Sequence, residues 1–327
     1  MQSFYRVVYL RAWQILKSNW RLGFFGLFVA TLGLTGDFDA IVNLQSSDIV
    51  STNLISWLNI FKNVTNVNLN WTMLPNIFLF IGILILMAIV LVLAIASQGA
   101  LINASNQANS KKTLGTSSLF DDLEIGVDKF WPLLSLNLLN KLVGFVFVAG
   151  VIVPIVYLLS LTQTNNAMDI IIKIILFFVI VPFTVIISFI TRYGYSYIIL
   201  KKQSTPRALA NAWTLFRFNW ILSLENALTM LLFTVVYTMA LIAASAFLIT
   251  PFLILGYLVS NVSALGFLIL MVVGSICFIA LLISAISFFG AYYTIVWTET
   301  FLHLTSKKTS LSKIHRLAAR HLPRLVE

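Results

Sequence analysis

Long apolar runs separated by polar connections dominate this chain. All but the first run have roughly the 20 mainly apolar residues that a membrane-spanning helix requires. The six runs lie at residues 22–36, 77–98, 132–160, 170–191, 220–250 and 264–290. The pattern predicts an all-α membrane protein with six transmembrane helices.

The first run, residues 22–36, is short and contains three glycines, so a cleaved signal peptide is an alternative interpretation. No Ala-x-Ala cleavage site precedes Asp37. The segment before this run also recurs in the middle of the chain, where a signal peptide has no place. We therefore expect an intact membrane span.

The basic residues alternate with the runs. Except for Lys62, Lys141 and Lys173, every Lys and Arg lies before the first run, in every second connection, or after the last run. Because cytoplasmic segments of membrane proteins are enriched in Lys and Arg, this pattern predicts a multi-pass protein of the inner cell membrane with both termini in the cytoplasm. The net charge of +10 therefore follows from topology and does not indicate nucleic-acid binding.

A tryptophan-containing segment occurs twice. Ala12-Trp13-x-x-x-Lys17-x-Asn19-Trp20 precedes the first run, and Ala212-Trp213-x-x-x-Arg217-x-Asn219-Trp220 precedes the fifth. A remnant, Lys129-Phe130-Trp131, precedes the third run. Each copy predicts an amphipathic helix at the cytoplasmic interface, with the next helix starting afresh at the Asn. The expected interfacial anchors are Trp13, Trp20, Trp131, Trp213 and Trp220.

The second, fourth and sixth runs end alike, with Ile-x-x-x-Gly at Gly99, Gly194 and Gly290. A glycine in a membrane helix usually marks a close approach of two helices. Together with the Trp segments, this spacing predicts three two-helix repeats, each preceded by a cytoplasmic interfacial amphipathic helix. We expect residues 1–304 to form the transmembrane domain.

Residues 305–327 predict a basic amphipathic cytoplasmic tail. Apolar residues at helical spacing are flanked by the basic residues expected to contact anionic lipid, Lys313, Arg316, Arg320 and Arg324. A free tail, a helix that docks on a partner and a nucleic-acid-binding segment are the alternatives.

Two polar segments lie between the second and third runs. Residues 104–118 predict a mobile connection, and Asp121, Asp122, Glu124 and Asp128 follow it. We expect these acids to form the solvated face and favourable first turn of a helix. A cation site is the alternative.

Catalytic motifs do not occur in the sequence. There is no His-Glu-x-x-His, P-loop, Gly-x-Gly-x-x-Gly or Gly-x-Ser-x-Gly, and the one cysteine, Cys277, lies in an apolar run. We therefore expect no enzyme activity, no metal site and no cofactor.

Ionisable residues inside spans are the default functional candidates in a membrane protein. Lys141 and Glu225 lie at similar depths, with three amides close in sequence: Asn137, Asn140 and Asn226. We expect a structural pair, because an isolated buried charge is costly. A transport or ligand site and interfacial snorkelling are the alternatives.

Three other charges lie near span ends. We expect Lys173 and Arg192 to snorkel to the interface. Glu299 is expected to face the cytoplasm or to pair with Arg192.

The Trp segments and the glycines Gly99, Gly194 and Gly290 resemble those of bacterial six-helix membrane proteins related to the membrane domain of glycerophosphoryl diester phosphodiesterases. The resemblance extends over about residues 1–300. The catalytic domain of those phosphodiesterases has no counterpart here. The resemblance therefore implies a fold and a membrane role, and it carries over no catalytic residue.

These observations favour a non-enzymatic protein that interacts with lipids or acts as a membrane scaffold. Its expected partners are membrane lipids, particularly anionic headgroups at the cytoplasmic face, with a membrane protein as a further candidate partner and no nucleic acid. The alternative is a transporter of a small solute or lipid through a cavity between the repeats.

Overall fold

The computed structural model describes residues 4–31, 74–110, 119–147, 150, 154 and 166–306. Within these ranges the chain forms nine helices and no strand. They are α1 (Phe4–Ser18), α2 (Leu22–Thr31), α3 (Leu74–Ser110), α4 (Leu119–Asp128), α5 (Phe130–Phe147), α6 (Asn166–Leu200), α7 (Thr205–Phe218), α8 (Trp220–Ser260) and α9 (Ala264–Thr305).

Five helices of the described part are long and apolar enough to cross a membrane, which makes the chain a multi-pass membrane protein. These spans are Phe80–Ala108, Phe130–Phe147, Phe178–Leu200, Trp220–Ser260 and Ala264–Thr305. They correspond to the second to sixth predicted runs. The first run begins with α2, which has 10 residues, and residues 32–36 lie outside the described part.

Besides α8, which continues to Ser260, three spans extend beyond the predicted limits at their C-terminal ends. Helix α3 continues to Ser110, so residues 104–110 are helical and not the mobile connection that their polar composition predicted. Helices α6 and α9 likewise continue to Leu200 and Thr305. In all three, the added turns are those that pack against the rest of the protein.

The segments that precede the predicted odd spans are helices α1, α4 and α7, which we call the leading helices. In α1 the buried side chains Val8, Ala12, Ile15 and Leu16 recur at helical spacing and form one face. The Ala-Trp pairs follow from this geometry. Ala12 and Ala212 are fully buried, and the next residues, Trp13 and Trp213, are about half exposed.

One to three residues separate each leading helix from the helix that follows it. At Asn219 the backbone N–H donates to the Leu215 carbonyl at 3.1 Å, and the side-chain amide donates to the same carbonyl at 3.1 Å. The Asn219 carbonyl in turn accepts from Ser223 N at 3.0 Å. The asparagine therefore closes the end of α7 with its side chain, and it starts α8 with its backbone. The predicted fresh helix start is confirmed.

The C-terminal parts of α3, α6 and α9 lie together at one end of the bundle, where they contact one another. Helices α1, α2, α4 and α7 pack around them. Buried residues of the three central helices are concentrated in residues 94–105, 189–199 and 290–301. We call this region the packed end. Away from it, the apolar side chains of α3, α8 and α9 are mostly exposed, as expected for surfaces that face lipid.

Glycines permit the closest helix contacts of the packed end. A Cβ at Gly290 of α9 would overlap the carbonyl oxygen of Gly26 in α2, and a Cβ at Gly126 of α4 would overlap Ala96 of α3. Gly99 faces Gly126 in the second contact, and Gly194 of α6 lies against Leu136 of α5. All three glycines of the Ile-x-x-x-Gly pattern are therefore points of close approach.

Gly290→Ala is expected to lower the melting temperature of the detergent-solubilised protein, because the added methyl overlaps the backbone of α2 and overpacking costs about 1–3 kcal/mol. Gly82→Ala in α3 is the matched control, since no atom of the described part of the chain lies within 4 Å of its Cβ position. Alanine is intrinsically the better helix former by about 1 kcal/mol, so the control should be neutral or stabilising. Equal effects of the two substitutions would contradict close packing at Gly290.

Candidate functional site at the packed end

The three central helices bring polar side chains into the interior of the packed end. Ser105 comes from α3, Tyr193 from α6, and Glu299 and Thr300 from α9, and all four are buried. Since buried polar groups are costly unless they are hydrogen-bonded, their partners define the site.

Glu299 is a buried carboxylate of the packed end. Its Oε1 accepts a hydrogen bond from the Ser105 hydroxyl at 2.8 Å, and its Oε2 lies 3.8 Å from Arg11 Nε. The Arg11 side chain is 43% exposed and that of Glu299 is 6% exposed. Glu299 therefore does not face solvent: it ties α9 to both α3 and α1. Its pairing with Arg192 stays a prediction.

Asn226 of α8 is a second polar link. Its side-chain amide donates to Thr300 Oγ1 of α9 at 3.2 Å, and its Oδ1 accepts from the Tyr9 hydroxyl of α1 at 3.1 Å. Beside it, the Tyr193 and Ser223 hydroxyls are 2.6 Å apart and join α6 to α8. These bonds hold the first turns of α8 against the central helices.

Arg192 of α6 lies between aromatic rings of α9. Its guanidinium carbon is 4.3 Å from the Trp297 ring centroid and 4.8 Å from that of Tyr293. The guanidinium also donates a hydrogen bond to the Tyr293 hydroxyl. The planar cation is therefore held by cation–π contacts within the bundle. The expectation that Arg192 snorkels to the interface is not met.

The interior around Arg192 has little free space. Two cavities border its side chain, each of about 30 Å³, and Tyr293 and Trp297 line both of them. A cavity needs roughly 10–15 Å³ to hold a water molecule, so each has room for one or two waters. Neither can admit an organic solute.

A much larger groove lies on the outside of the packed end, where α1, α2 and α9 meet. Its volume is about 570 Å³, which falls in the range of about 300–1,000 Å³ that is usual for ligand sites. The apolar walls are Trp13, Leu16, Trp20, Phe24 and Phe288. Two basic residues, Lys17 and Arg21, also line it. We call this the α1–α9 groove.

The five tryptophans predicted as interfacial anchors are all exposed to solvent or lipid, between 48% and 78% of their surface. Two of them, Trp13 and Trp213, lie on leading helices. Trp20 lies between α1 and α2, and Trp131 and Trp220 lie at the starts of α5 and α8. Basic residues share these surfaces: Arg6, Lys17, Arg21, Lys201, Lys202, Arg207 and Arg217 are exposed. The packed end therefore carries exposed indoles and cations together.

The predicted intramembrane polar residues occupy different environments. Asn137 and Asn226 are buried, Asn140 and Glu225 are half-buried, and Lys141 is exposed. Asn226 belongs to the polar links described above. The pairing of Lys141 with Glu225 stays a prediction. The tail residues Lys313, Arg316, Arg320 and Arg324 lie outside the described residues.

The acidic group of α4 divides between interior and surface. Asp122 is buried and accepts hydrogen bonds from Asn103 at 2.8 Å and Gln107 at 3.2 Å, both in α3. The other three acids of the helix, Asp121, Glu124 and Asp128, are exposed, as a solvated helix face requires. Among the described residues no three His, Cys, Asp or Glu side chains are grouped as a metal site would need.

Sequence reasoning missed the cluster of Arg192, Tyr293 and Trp297, and it missed Glu299 as a buried link between helices. A signal for both was present, since these residues lie within ten positions of Gly194 or Gly290. The glycines identify the turns where central helices approach their neighbours, and polar residues in those turns face protein.

Comparisons with known proteins identify no relative: no family model, no curated protein and no solved structure matches this chain.

Glu299→Ala is expected to destabilise the protein by about 1–3 kcal/mol, because the buried Ser105 hydroxyl loses its acceptor. Arg11→Ala should cost less than about 1 kcal/mol, because Glu299 keeps its hydrogen bond from Ser105 and the 3.8 Å ion pair with a half-exposed Arg11 is screened by water. Thermal unfolding in detergent measures both, with Arg217→Ala as an exposed control. Losses of equal size for Glu299→Ala and Arg11→Ala would contradict the dominant role assigned to the Ser105 bond.

Proposed function

We propose that this protein is a non-enzymatic, lipid-interacting scaffold of the inner cell membrane. The observation that carries the proposal is the contrast within the packed end. Its interior is closed by hydrogen bonds and aromatic packing, with cavities of about 30 Å³ beside Arg192. Its outside presents exposed tryptophans and cations, the side chains that membrane interfaces favour.

We also propose that the fold consists of three repeats with six spans. Each repeat has a leading helix, an odd span and an even span, namely α1–α3, α4–α6 and α7–α9. The contacts support this division, because each even span packs against the leading helix of the next repeat, and the last repeat packs against the first. The pairs are α3 with α4, α6 with α7, and α9 with α1. Helix α2 belongs to the first odd span in this scheme, whose predicted run ends at residue 36, outside the described residues.

The resemblance to bacterial membrane proteins related to the phosphodiesterase membrane domain agrees with this proposal, because it implies a membrane role without chemistry. In the proposed orientation both termini and the packed end face the cytoplasm. The exposed cations then meet the anionic leaflet surface, where each contributes about 1 kcal/mol to lipid attraction. The basic tail at residues 305–327 adds to the same surface.

The melting temperature tests the proposal. In nanodiscs of phosphatidylcholine, rising fractions of phosphatidylglycerol are expected to raise it, and high salt should remove most of the rise because exposed charges are screened. A melting temperature that is indifferent to phosphatidylglycerol would overturn the lipid-interacting function.

The alternative function is transport through a cavity between the repeats, with Lys141 and Glu225 as its candidate site. It is tested by light scattering from proteoliposomes challenged with glycerol, glucose or potassium chloride. The scaffold function predicts no flux above that of protein-free liposomes. A flux that Lys141→Ala and Glu225→Ala both abolish would favour the transporter.

A further inference from the structure

We propose that the α1–α9 groove binds one anionic phospholipid, with an acyl chain in the groove and the phosphate beside Lys17 and Arg21. This inference rests on the proposed lipid-interacting function and names its site and its ligand class. The shape of the groove, its polar groups, its position and its charge support this assignment.

The groove is built for an apolar chain. Trp13 of α1 packs edge-on against Phe288 of α9, with ring centroids 5.6 Å apart, and this pair forms one wall. Leu16 and Phe24 lie on the α1 and α2 sides. Its volume of about 570 Å³ is far larger than the cavities of the interior, so it is not a packing defect of the core.

The two serine hydroxyls within the groove are already satisfied. The Ser287 hydroxyl donates to the Gly23 carbonyl, and the Ser284 hydroxyl donates to the Leu281 carbonyl at 2.9 Å. A peptide would bring backbone N–H and C=O groups that need partners when buried. An acyl chain needs none, so the groove favours a lipid tail over a peptide segment.

The position of the groove gives a bilayer lipid access to it. Its α9 wall is Ser284–Phe288, which immediately precedes the buried segment that begins at Gly290. In the turns that precede this wall along the chain, α9 presents the exposed apolar residues Ile276, Ile279 and Ile283. The groove therefore lies where the lipid-facing part of α9 enters the packed end, and a chain can enter it from the hydrocarbon.

Charge selects an anionic headgroup. Lys17 and Arg21 both line the groove and both are exposed, and among the described residues no carboxylate lines it with them. Trp13 and Trp20 flank the cations, and indoles favour the headgroup level of a bilayer. A phosphate at this level can accept from both cations and from an indole N–H while its acyl chain lies below.

Native mass spectrometry of the full chain, released from nanodiscs that contain equal phosphatidylglycerol and phosphatidylcholine, tests the proposal. The wild type is expected to retain one phosphatidylglycerol. Ser284→Trp should abolish this retention, because an exposed serine of the groove wall becomes a side chain that fills the groove. Ser275→Trp is the matched control, an exposed serine two to three turns earlier on the same helix and outside the groove.

The charge requirement has its own pair of variants. Lys17→Glu with Arg21→Glu should lower phosphatidylglycerol retention by at least about twenty-five-fold, since each basic side chain near a membrane surface contributes a factor of about five and each added carboxylate repels the phosphate. Arg207→Glu with Arg217→Glu changes the net charge equally, on exposed residues of α7 outside the groove. That control should retain the lipid at the wild-type level.

Three results would overturn the proposal: equal retention in Ser284→Trp and Ser275→Trp, equal losses in the two double variants, or equal retention of phosphatidylcholine and phosphatidylglycerol by the wild type. These outcomes are distinct from failure of the proposed function. If the melting temperature still rises with phosphatidylglycerol while Ser284→Trp retains its lipid, the protein is lipid-interacting but the groove is not the site. Unchanged melting temperatures of the variants show that they are folded.

Discussion

The close contact between α2 and α9 at Gly26 and Gly290 is the constraint on which the packed end depends. Without a side chain at either position, the two backbones approach until any Cβ would overlap the opposite helix. In a membrane the apolar surface of a helix gains little from leaving lipid, so close van der Waals packing is what holds helices together. This contact places α9 in the middle of the packed end, and the polar residues that follow Gly290 are thereby enclosed.

Enclosure then determines how the polar residues are used. Glu299, Asn226 and Tyr193 link α9, α8 and α6 to their neighbours through directed bonds, which fix the positions of these helices more narrowly than apolar packing does. Arg192 adds a further link between α6 and α9, because its guanidinium makes cation–π contacts with Tyr293 and Trp297. A core of this kind supports the proposal that the protein holds surfaces in place, because alternating access would require these directed bonds to break and re-form.

The location and helical nature of the long spans follow from the hydropathy of the sequence, but the ends of the spans do not. Hydropathy treats Ser105 or Glu299 as a sign that a helix has left the membrane, and it cannot distinguish a polar residue that faces water from one that faces protein. The same limit explains the site. Lys141 and Glu225 were selected by depth along the chain, whereas burial depends on which face of a helix meets a neighbour. Asn226, one position after Glu225, is the residue that points inward.

The α1–α9 groove follows from the same division between packed and lipid-facing helix. Where α9 passes from its lipid-facing part into the packed end, it presents the small residues Ser284, Ser287 and Gly290 towards α2. The absence of a side chain at Gly290 permits the backbone contact, and the two serines line the groove just before it along the chain. The exposed apolar residues of α9 precede the groove, so we infer that it is open to the hydrocarbon. Since Lys17 and Arg21 border it, the occupant that satisfies both the apolar walls and the charge is an anionic lipid.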